Sequence, residues 1–259
     1  MIIGKYLMRK LVILLLACTM PFAFPILTEA QISNADYPKM ARHIVNALQP
    51  TAGERAIIRY HPQALHGMEV MLKNAMQEKG VETALVQYGH VENFEEQLDK
   101  TSIYIWLPEA SQGSTPAAQM QALQAWLKAG KGRQIHFHWG AGTVDTDGLA
   151  GKHSAAYDSV YLAALNIDYD ELNSQQDAAI DRLKSGEVRI TTLDGTDIRF
   201  RTGGRPFTKQ NGDASNAATA KAGAIIGREI ELPAGALRVA PVENSVQGTI
   251  AIPSALSVF

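Results

Sequence analysis

Two histidines separated by a single residue are the side chains whose spacing most directly suggests chemistry. His136 and His138 lie in a segment, Gln134 to His138, that is typical of a short β-strand, so both imidazoles are expected on the same face. Two imidazoles placed in this way can bind one metal ion. Three residues farther along the chain could supply a third ligand: Asp145, Asp147 and His153. The alternative is a strand end with polar side chains that are exposed or hydrogen-bonded to the next loop.

Other motifs give weaker signals. Gly140-Ala141-Gly142 could hold a phosphate on backbone amides, but it lacks the third glycine and the immediate helix of a dinucleotide-binding loop, so a plain turn is favoured. The sequence has no G-x-S-x-G elbow, which leaves Ser-His-Asp catalysis without its usual signal. With 24 basic and 26 acidic residues and no basic cluster, the chain is not expected to bind nucleic acid.

The first 30 residues have the features of a secretory signal. A basic start that includes Lys5 and Lys10 precedes an apolar run from Leu11 to Met20, and Ala30 offers a small residue for cleavage. The run is too short to span a bilayer. We therefore expect export to a periplasm or out of the cell, with no membrane span after cleavage; a lipid anchor on Cys18 is the less favoured alternative. Cys18 is the only cysteine, so the mature chain would contain no disulfide or thiolate metal site.

Alternating strand and helix patterns predict an α/β fold for residues 31–185. Helical spacing of apolar residues separates the predicted strands, which implies a Rossmann-like parallel sheet covered by helices. The predicted strands are Arg55–Tyr60, Val81–Tyr88, Ser102–Leu107 and Gln134–His138.

The pattern changes in residues 186–259. Alternating segments flank Asp194-Gly195, a strong hairpin signal, and short strand-like segments follow at Ala236–Ala240 and Gly248–Ile252. We therefore predict that a β-rich second domain begins at residue 186.

This second region resembles the opening of the catalytic domain in thermophilic metallo-aminopeptidases of the aminopeptidase T (leucyl aminopeptidase) type. The family's spacing of proline, glycine and serine is matched by Pro233, Gly235, Pro241, Ser245 and Gly248. The preceding segment also resembles the family's strand pair, in Val188–Thr191, Gly195-Thr196-Asp197 and Gly204-Arg205. The resemblance implies a peptide substrate, a homodimer and a site for two divalent ions (Zn, Co or Mn).

The resemblance fails at the residue that would bind metal. Ala236 occupies the position of the family's first glutamate ligand, and a methyl group cannot coordinate a cation. The family's remaining ligands lie beyond the point that corresponds to Phe259, so the catalytic domain is expected to be incomplete. The expectation is therefore an α/β domain followed by the beginning of a mainly β catalytic-type domain, with no metal in this chain.

Three functional interpretations follow. The first is an exported aminopeptidase relative that is inactive as it stands. The second is a non-catalytic exported protein that binds a small molecule or peptide, and the third is an unrelated exported enzyme that uses His136 and His138. Arg238 and Glu243 are the charged residues nearest Ala236, and they are the candidates for substrate contact; exposure on a solvated strand is the alternative for both.

Overall fold

The computed structural model describes residues 36–62, 64–108, 115–139, 158–220 and 227–252. Its centre is a five-stranded parallel sheet in the order β2-β1-β3-β4-β8. The strands of this sheet are Arg55–Tyr60 (β1), Glu82–Gln87 (β2), Ile103–Trp106 (β3), Arg133–Phe137 (β4) and Glu229–Leu232 (β8). The predicted Rossmann-like α/β class is confirmed.

Helices alternate with the first four strands, as the hydrophobic pattern predicted. The helices are Tyr37–Leu48 (α1), Met68–Glu78 (α2), Phe94–Asp99 (α3), Ala117–Lys128 (α4), Asp158–Leu165 (α5), Tyr169–Lys184 (α6) and Asn216–Thr219 (α7). Within the described residues, none of these helices has the length and apolar character needed to cross a bilayer.

The two faces of the parallel sheet are covered to different extents. One face, which includes Ile58, Ile105 and Ile135, forms the larger buried core with side chains from α1 and α2. The opposite face packs against α3 and α4 through a smaller cluster that includes Ile57 and Tyr104. Buried apolar residues on both faces are typical of a parallel sheet.

Helices α3 and α4 cover their face of the sheet only as far as its middle. One row of paired residues crosses β1, β3, β4 and β8, and consists of Arg59, Trp106, His136 and Glu231. Arg59 is fully buried, whereas the other three are partly exposed. The β4–β8 half of this face is therefore partly open to solvent at His136, Glu229 and Glu231, although Gln134 of β4 is buried.

Residues after the predicted domain boundary contribute to the first sheet. β8 pairs in parallel with β4, and Gln134 lies opposite Glu229. The boundaries 31–185 and 186–259 remain predictions, but the fifth strand of the parallel sheet comes from the second of these ranges.

Two small antiparallel sheets complete the described structure. Glu187–Thr191 (β5), Asp197–Arg201 (β6) and Gln247–Thr249 (β10) form one, in the order β10-β6-β5. Thr208–Lys209 (β7) pairs with Leu237–Arg238 (β9) in the other. The β7–β9 pair lies next to β8 and forms a wall of the site described below.

A buried ion pair ties together elements at the amino ends of the strands. Arg133 at the start of β4 is 1% exposed and donates to both carboxylate oxygens of Glu54, at 2.7 and 3.0 Å. The same guanidinium donates to Asn216 Oδ1 and to the Leu48 carbonyl. One side chain thus connects β4 with α1, α7 and the segment before β1.

Candidate functional site

Three aromatic rings form a column on the open half of the sheet. Trp106 of β3 stacks on His136 of β4, with ring centroids 4.4 Å apart and planes 8° from parallel. The His138 ring follows at 3.8 Å from that of His136, tilted by 36°. The two histidines therefore share a face, as their spacing predicted. The column places both imidazoles beside β8.

Glu229 at the start of β8 faces this column. Its Oε1 lies 3.4 Å from His136 Nδ1 and accepts a hydrogen bond from Gln134 Nε2, also at 3.4 Å. Both contacts are long, and no arginine or lysine in the described part of the chain pairs with this carboxylate. Glu229 is therefore held in place by neutral or weakly basic neighbours while its charge remains largely uncompensated.

The second acidic residue of β8 has a strong partner. Arg238 of β9 donates from Nη2 to both oxygens of Glu231, at 3.0 and 2.7 Å. The two carboxylates therefore differ in electrostatic character although they lie two residues apart on one strand. Glu231 is neutralised by a guanidinium and Glu229 is not.

A buried glutamine supports the outer edge of β8. Gln210 is 3% exposed, and its side-chain amide donates to the Glu229 carbonyl at 3.0 Å and accepts from the Glu231 N–H at 2.9 Å. Gln176 in turn donates to the Gln210 carbonyl at 3.1 Å. Gln210 thus supplies hydrogen-bond partners for two backbone groups at the edge of β8, which would otherwise bond to water or to another strand.

His138 is kept in its neutral form. Loss of hydration and the neighbouring His136 ring lower the pKa of His138 to about 4, against the opposing influence of Glu231 and Glu229. The residue is nevertheless exposed, so solvent reaches part of it. A neutral imidazole beside two carboxylates can accept or donate one hydrogen bond at each nitrogen.

Two cavities meet at the Glu231–Arg238 pair. The first has a volume of about 620 Å³, is lined by Glu229 and Arg205, and has an apolar wall of Pro206, Val239 and Ala240. The second has a volume of about 540 Å³ and is lined by His138, Val160, Tyr161, Ala164 and Pro233. Glu231 and Arg238 line both cavities. Trp106 and His138 lie at the carboxyl ends of β3 and β4, where α/β folds usually bind ligands, whereas Glu229 lies at the amino end of β8, so the site extends along these strands.

The candidates near the predicted ligand position have different surroundings. Arg238 lines both cavities, whereas Glu243 lies in a 3₁₀ turn and accepts a short hydrogen bond from Arg205. The Ala236 carbonyl accepts from Gln210 N–H at 2.9 Å and from the Gln176 amide at 3.3 Å. The Ala236 methyl group offers no ligand atom for a metal. The backbone carbonyl of this residue instead connects Gln210 and Gln176.

The described residues do not assemble a metal site. Within them, no three His, Cys, Asp or Glu side chains are grouped so that they could hold one ion. Several predicted elements lie outside the described residues: the third-ligand candidates Asp145, Asp147 and His153, the Gly140-Ala141-Gly142 turn, and the signal segment with Cys18. Coordination by His136 and His138 therefore remains a hypothesis.

Comparisons with known proteins give a likeness of fold. No family model and no curated protein matches the sequence. The chain is similar to the structure of 2,5-dihydroxypyridine dioxygenase from Pseudomonas putida KT2440, with 16% identity and a TM-score of 0.51. That likeness covers 85% of this chain and 59% of the dioxygenase chain. An O-acetylhomoserine sulfhydrylase from Wolinella succinogenes also matches, with 16% identity, a TM-score of 0.29, and coverage of 39% of this chain and 28% of that one.

These comparisons correct the family assignment made from the sequence. The similar structure with a TM-score above 0.5 is a dioxygenase, and no sequence match links the chain to a metallo-aminopeptidase. The predicted resemblance to aminopeptidase T is therefore wrong. The matched residues have a simpler structural role: Gly235 and Gly248 have positive φ angles of 138° and 115°, and Ser245 bonds to the Arg201 amide. Gly248 lies within β10, where a Cβ would clash with the Asp197 carbonyl, so these positions have local structural roles that do not identify a family.

Sequence reasoning missed the acidic residue that defines the site. Glu229-Ile230-Glu231-Leu232 alternates polar and apolar residues, and Ile230 and Leu232 are buried while the glutamates face the open side. That alternation is typical of a half-buried strand and was the available signal. Trp106 had no comparable signal, because its stacking on His136 depends on how β3 pairs with β4.

Proposed function

We propose that this protein is an exported binding protein for a small organic molecule or short peptide that carries a protonated amine, with Glu229 as the residue that recognises the amine. The proposal rests on one observation: the Glu229 carboxylate lines a cavity of about 620 Å³ and has no arginine or lysine partner among the described residues, only the His136 ring and the Gln134 amide at 3.4 Å. Export is proposed from the features of residues 1–30.

The charges around the cavity favour a cationic group. Arg238 is paired with Glu231, and Arg205 with Glu243, so both guanidinium groups already have a carboxylate. The three glutamates and two arginines together carry one net negative charge, which lies at Glu229. A ligand ammonium would supply the missing partner, and charge-assisted hydrogen bonds of this kind contribute about 1.5–3 kcal/mol.

The site also has features that favour a small organic ligand over an inorganic ion. Pro206, Val239 and Ala240 offer an apolar surface in the same cavity as Glu229. His136 and Gln134 hold the carboxylate from behind, which reduces the entropy lost when a ligand orders it. An amine attached to an apolar body would therefore use both the carboxylate and the wall.

Isothermal titration calorimetry with two matched probes tests this proposal. Benzylamine is protonated at neutral pH, whereas benzyl alcohol has nearly the same shape without the charge. We expect benzylamine to bind, benzyl alcohol to bind much more weakly, and Glu229→Gln to lower benzylamine affinity by about 10–100-fold.

The matched control is Glu82→Gln, which neutralises an exposed glutamate on β2 that pairs with Arg55. This variant should bind benzylamine as the wild type does. Equal affinity for the two probes, or unchanged binding in Glu229→Gln, would contradict the proposal.

A further inference from the structure

A third cavity, of about 440 Å³, has a different chemistry from the site beside β8. It lies between α1, the junction of α5 and α6, and the segment 211–213. These walls come from three distant parts of the sequence, and none of them includes a residue of the Glu229 cavity. Its properties can therefore be tested separately from the proposed amine site.

Amide side chains dominate the third cavity. Five amides line it: Asn46, Gln49, Asn166, Asn173 and Asn211. Among the described residues that line it, two carboxylates, Asp170 and Asp213, are the only charged groups. Besides burial, the main cause, Lys39 and Arg42 of α1 contribute to lowering the pKa of His43, but they are not among these lining residues. An amide offers two donors and an acceptor, while a carboxylate accepts from hydroxyl groups. This combination matches a neutral molecule with many hydroxyls and offers no cation to an anionic ligand.

Hydrogen bonds fix the orientation of two of the amides. Asn166 donates from Nδ2 to the Leu162 carbonyl at 2.7 Å, which places its Oδ1 3.1 Å from His43 Nε2. Because Oδ1 is an acceptor, His43 must donate the hydrogen bond from Nε2. Burial is the main cause that lowers the pKa of His43 and favours the neutral ring. In that neutral ring, Nδ1 is an acceptor. Asn211 donates to Asn173 Oδ1 at 2.8 Å, and the Nδ2 donor of Asn173 has no partner among the described residues.

A buried glycine allows the segment 211–213 to form the floor of this cavity. Gly212 has a φ of 80°, and a Cβ at this position would lie 2.3 Å from Tyr169 Cε1. The backbone can therefore pack directly against the tyrosine ring, with Asn211 and Asp213 on either side. Asn211 Oδ1 accepts from the Asp213 N–H at 3.2 Å, and Asp213 Oδ1 accepts from Ser215 N–H at 2.9 Å. The polar groups are thus held in place before any ligand arrives.

We infer that this third cavity is a second binding site, which takes a neutral polyhydroxylated molecule of about the size of a monosaccharide. Its volume lies at the lower end of the range for small-molecule pockets. The Nδ2 group of Asn173 supplies a donor, and Nδ1 of His43 and the carboxylates of Asp170 and Asp213 supply acceptors, for the hydroxyl groups of such a molecule. This inference goes beyond the amine-binding function and does not depend on it.

Titrations of the protein followed by ¹H–¹⁵N NMR, with D-glucose, D-galactose and myo-inositol as probes, test the inference. We expect at least one probe to shift amide signals around His43, Asn173 and Asn211, and Asn173→Ala to weaken that binding by about tenfold. Alanine is the best helix former, so this variant should keep α6 folded.

Two controls separate the possible outcomes. Gln175→Ala changes an exposed amide on α6 outside the cavity, and Glu229→Gln changes the amine site; both should leave the sugar response intact. No response to any of the three probes, or an equal response in Asn173→Ala, would overturn the inference. Shifts at this cavity with calcium chloride and none with the sugars would also overturn it, since they would assign the Asp170 and Asp213 oxygens to a cation.

Discussion

At the scale of single residues, the different surroundings of Glu229 and Glu231 carry the functional account. Both side chains lie on the open face of β8, but only Glu231 is paired with an arginine. Glu229 is instead oriented by Gln134 and His136 at 3.4 Å. The sequence alone could place His136 and His138 on one face. It could not reveal which carboxylate would lack a strong partner, because the partners of Glu229 and Glu231 come from two other strands, β4 and β9.

His138 gives a pH-dependent prediction. Its native pKa is about 4 and its ordinary value is 6.5, so the unfolded chain binds more protons in this range. The stability associated with neutral His138 is fully present above about pH 6.5 and is lost as the pH falls toward 4. As the pH falls through this range, we therefore expect the melting temperature of the wild type to fall more than that of His138→Gln.

Melting curves measured across this pH range test the prediction. His66→Gln, which removes an exposed histidine outside the site, is the matched control. A difference between His138→Gln and the wild type that does not change with pH would show that His138 is not held neutral by the fold.

At the scale of elements, the site exists because α3 and α4 cover only part of one sheet face. β4 and β8 extend beyond this cover, where His136, Glu229 and Glu231 are partly exposed, while Gln134 beside them is buried. The sequence predicted β1 to β4 within one or two residues, because each has a local hydrophobic pattern. It did not predict that residues 229–232 join the same sheet, since pairing across about a hundred residues leaves no local signal.

We expect Gln210 to stabilise the outer edge of β8. Gln210→Ala would leave the Glu229 carbonyl and the Glu231 N–H without their side-chain partner. We expect a loss of about 1–3 kcal/mol in the free energy of unfolding, together with faster hydrogen exchange at the Glu231 amide. Exchange at Ile135, which lies in the interior of the sheet, is the internal reference. Unchanged exchange at Glu231 would show that Gln210 does not support the strand.

The ion pair at the opposite end of the sheet should contribute more stability than any surface pair. Burial opposes ionisation of Glu54, but hydrogen bonds from Arg133 and the Thr51 N–H outweigh it and lower the pKa of Glu54 to about 2. Glu54→Gln would leave the buried Arg133 charge uncompensated, at a cost of about 3–5 kcal/mol. In the wild type, this contribution is present above about pH 4.5 and is lost as the pH falls toward 2.

Urea denaturation at pH 7 measures the effect of Glu54→Gln. Glu82→Gln is the matched control, because Glu82 pairs with Arg55 on the exposed surface and its loss should change stability little. Similar losses in the two variants would contradict the structural role assigned to the Glu54–Arg133 pair.

At the scale of the whole molecule, the α/β class was predictable and the family was not. Alternating strands and helices in residues 55–137 have the periodicity of a parallel sheet, and the structure confirms it. The aminopeptidase resemblance rested on a few proline, glycine and serine positions, which turns of many folds share. Similarity to the dioxygenase structure, at 16% identity, likewise establishes only the fold. Neither likeness assigns a function, and the proposed recognition of an amine rests on the surroundings of Glu229 alone.

A crystal structure of the protein soaked with benzylamine would show whether Glu229 binds an amine. We expect the ammonium nitrogen to lie within hydrogen-bond distance of the Glu229 carboxylate, with the benzyl ring against Val239 and Ala240 and with the Glu231–Arg238 pair intact. Benzylamine bound elsewhere, or an empty cavity beside a Glu229 carboxylate that is freely accessible in the crystal, would contradict this expectation.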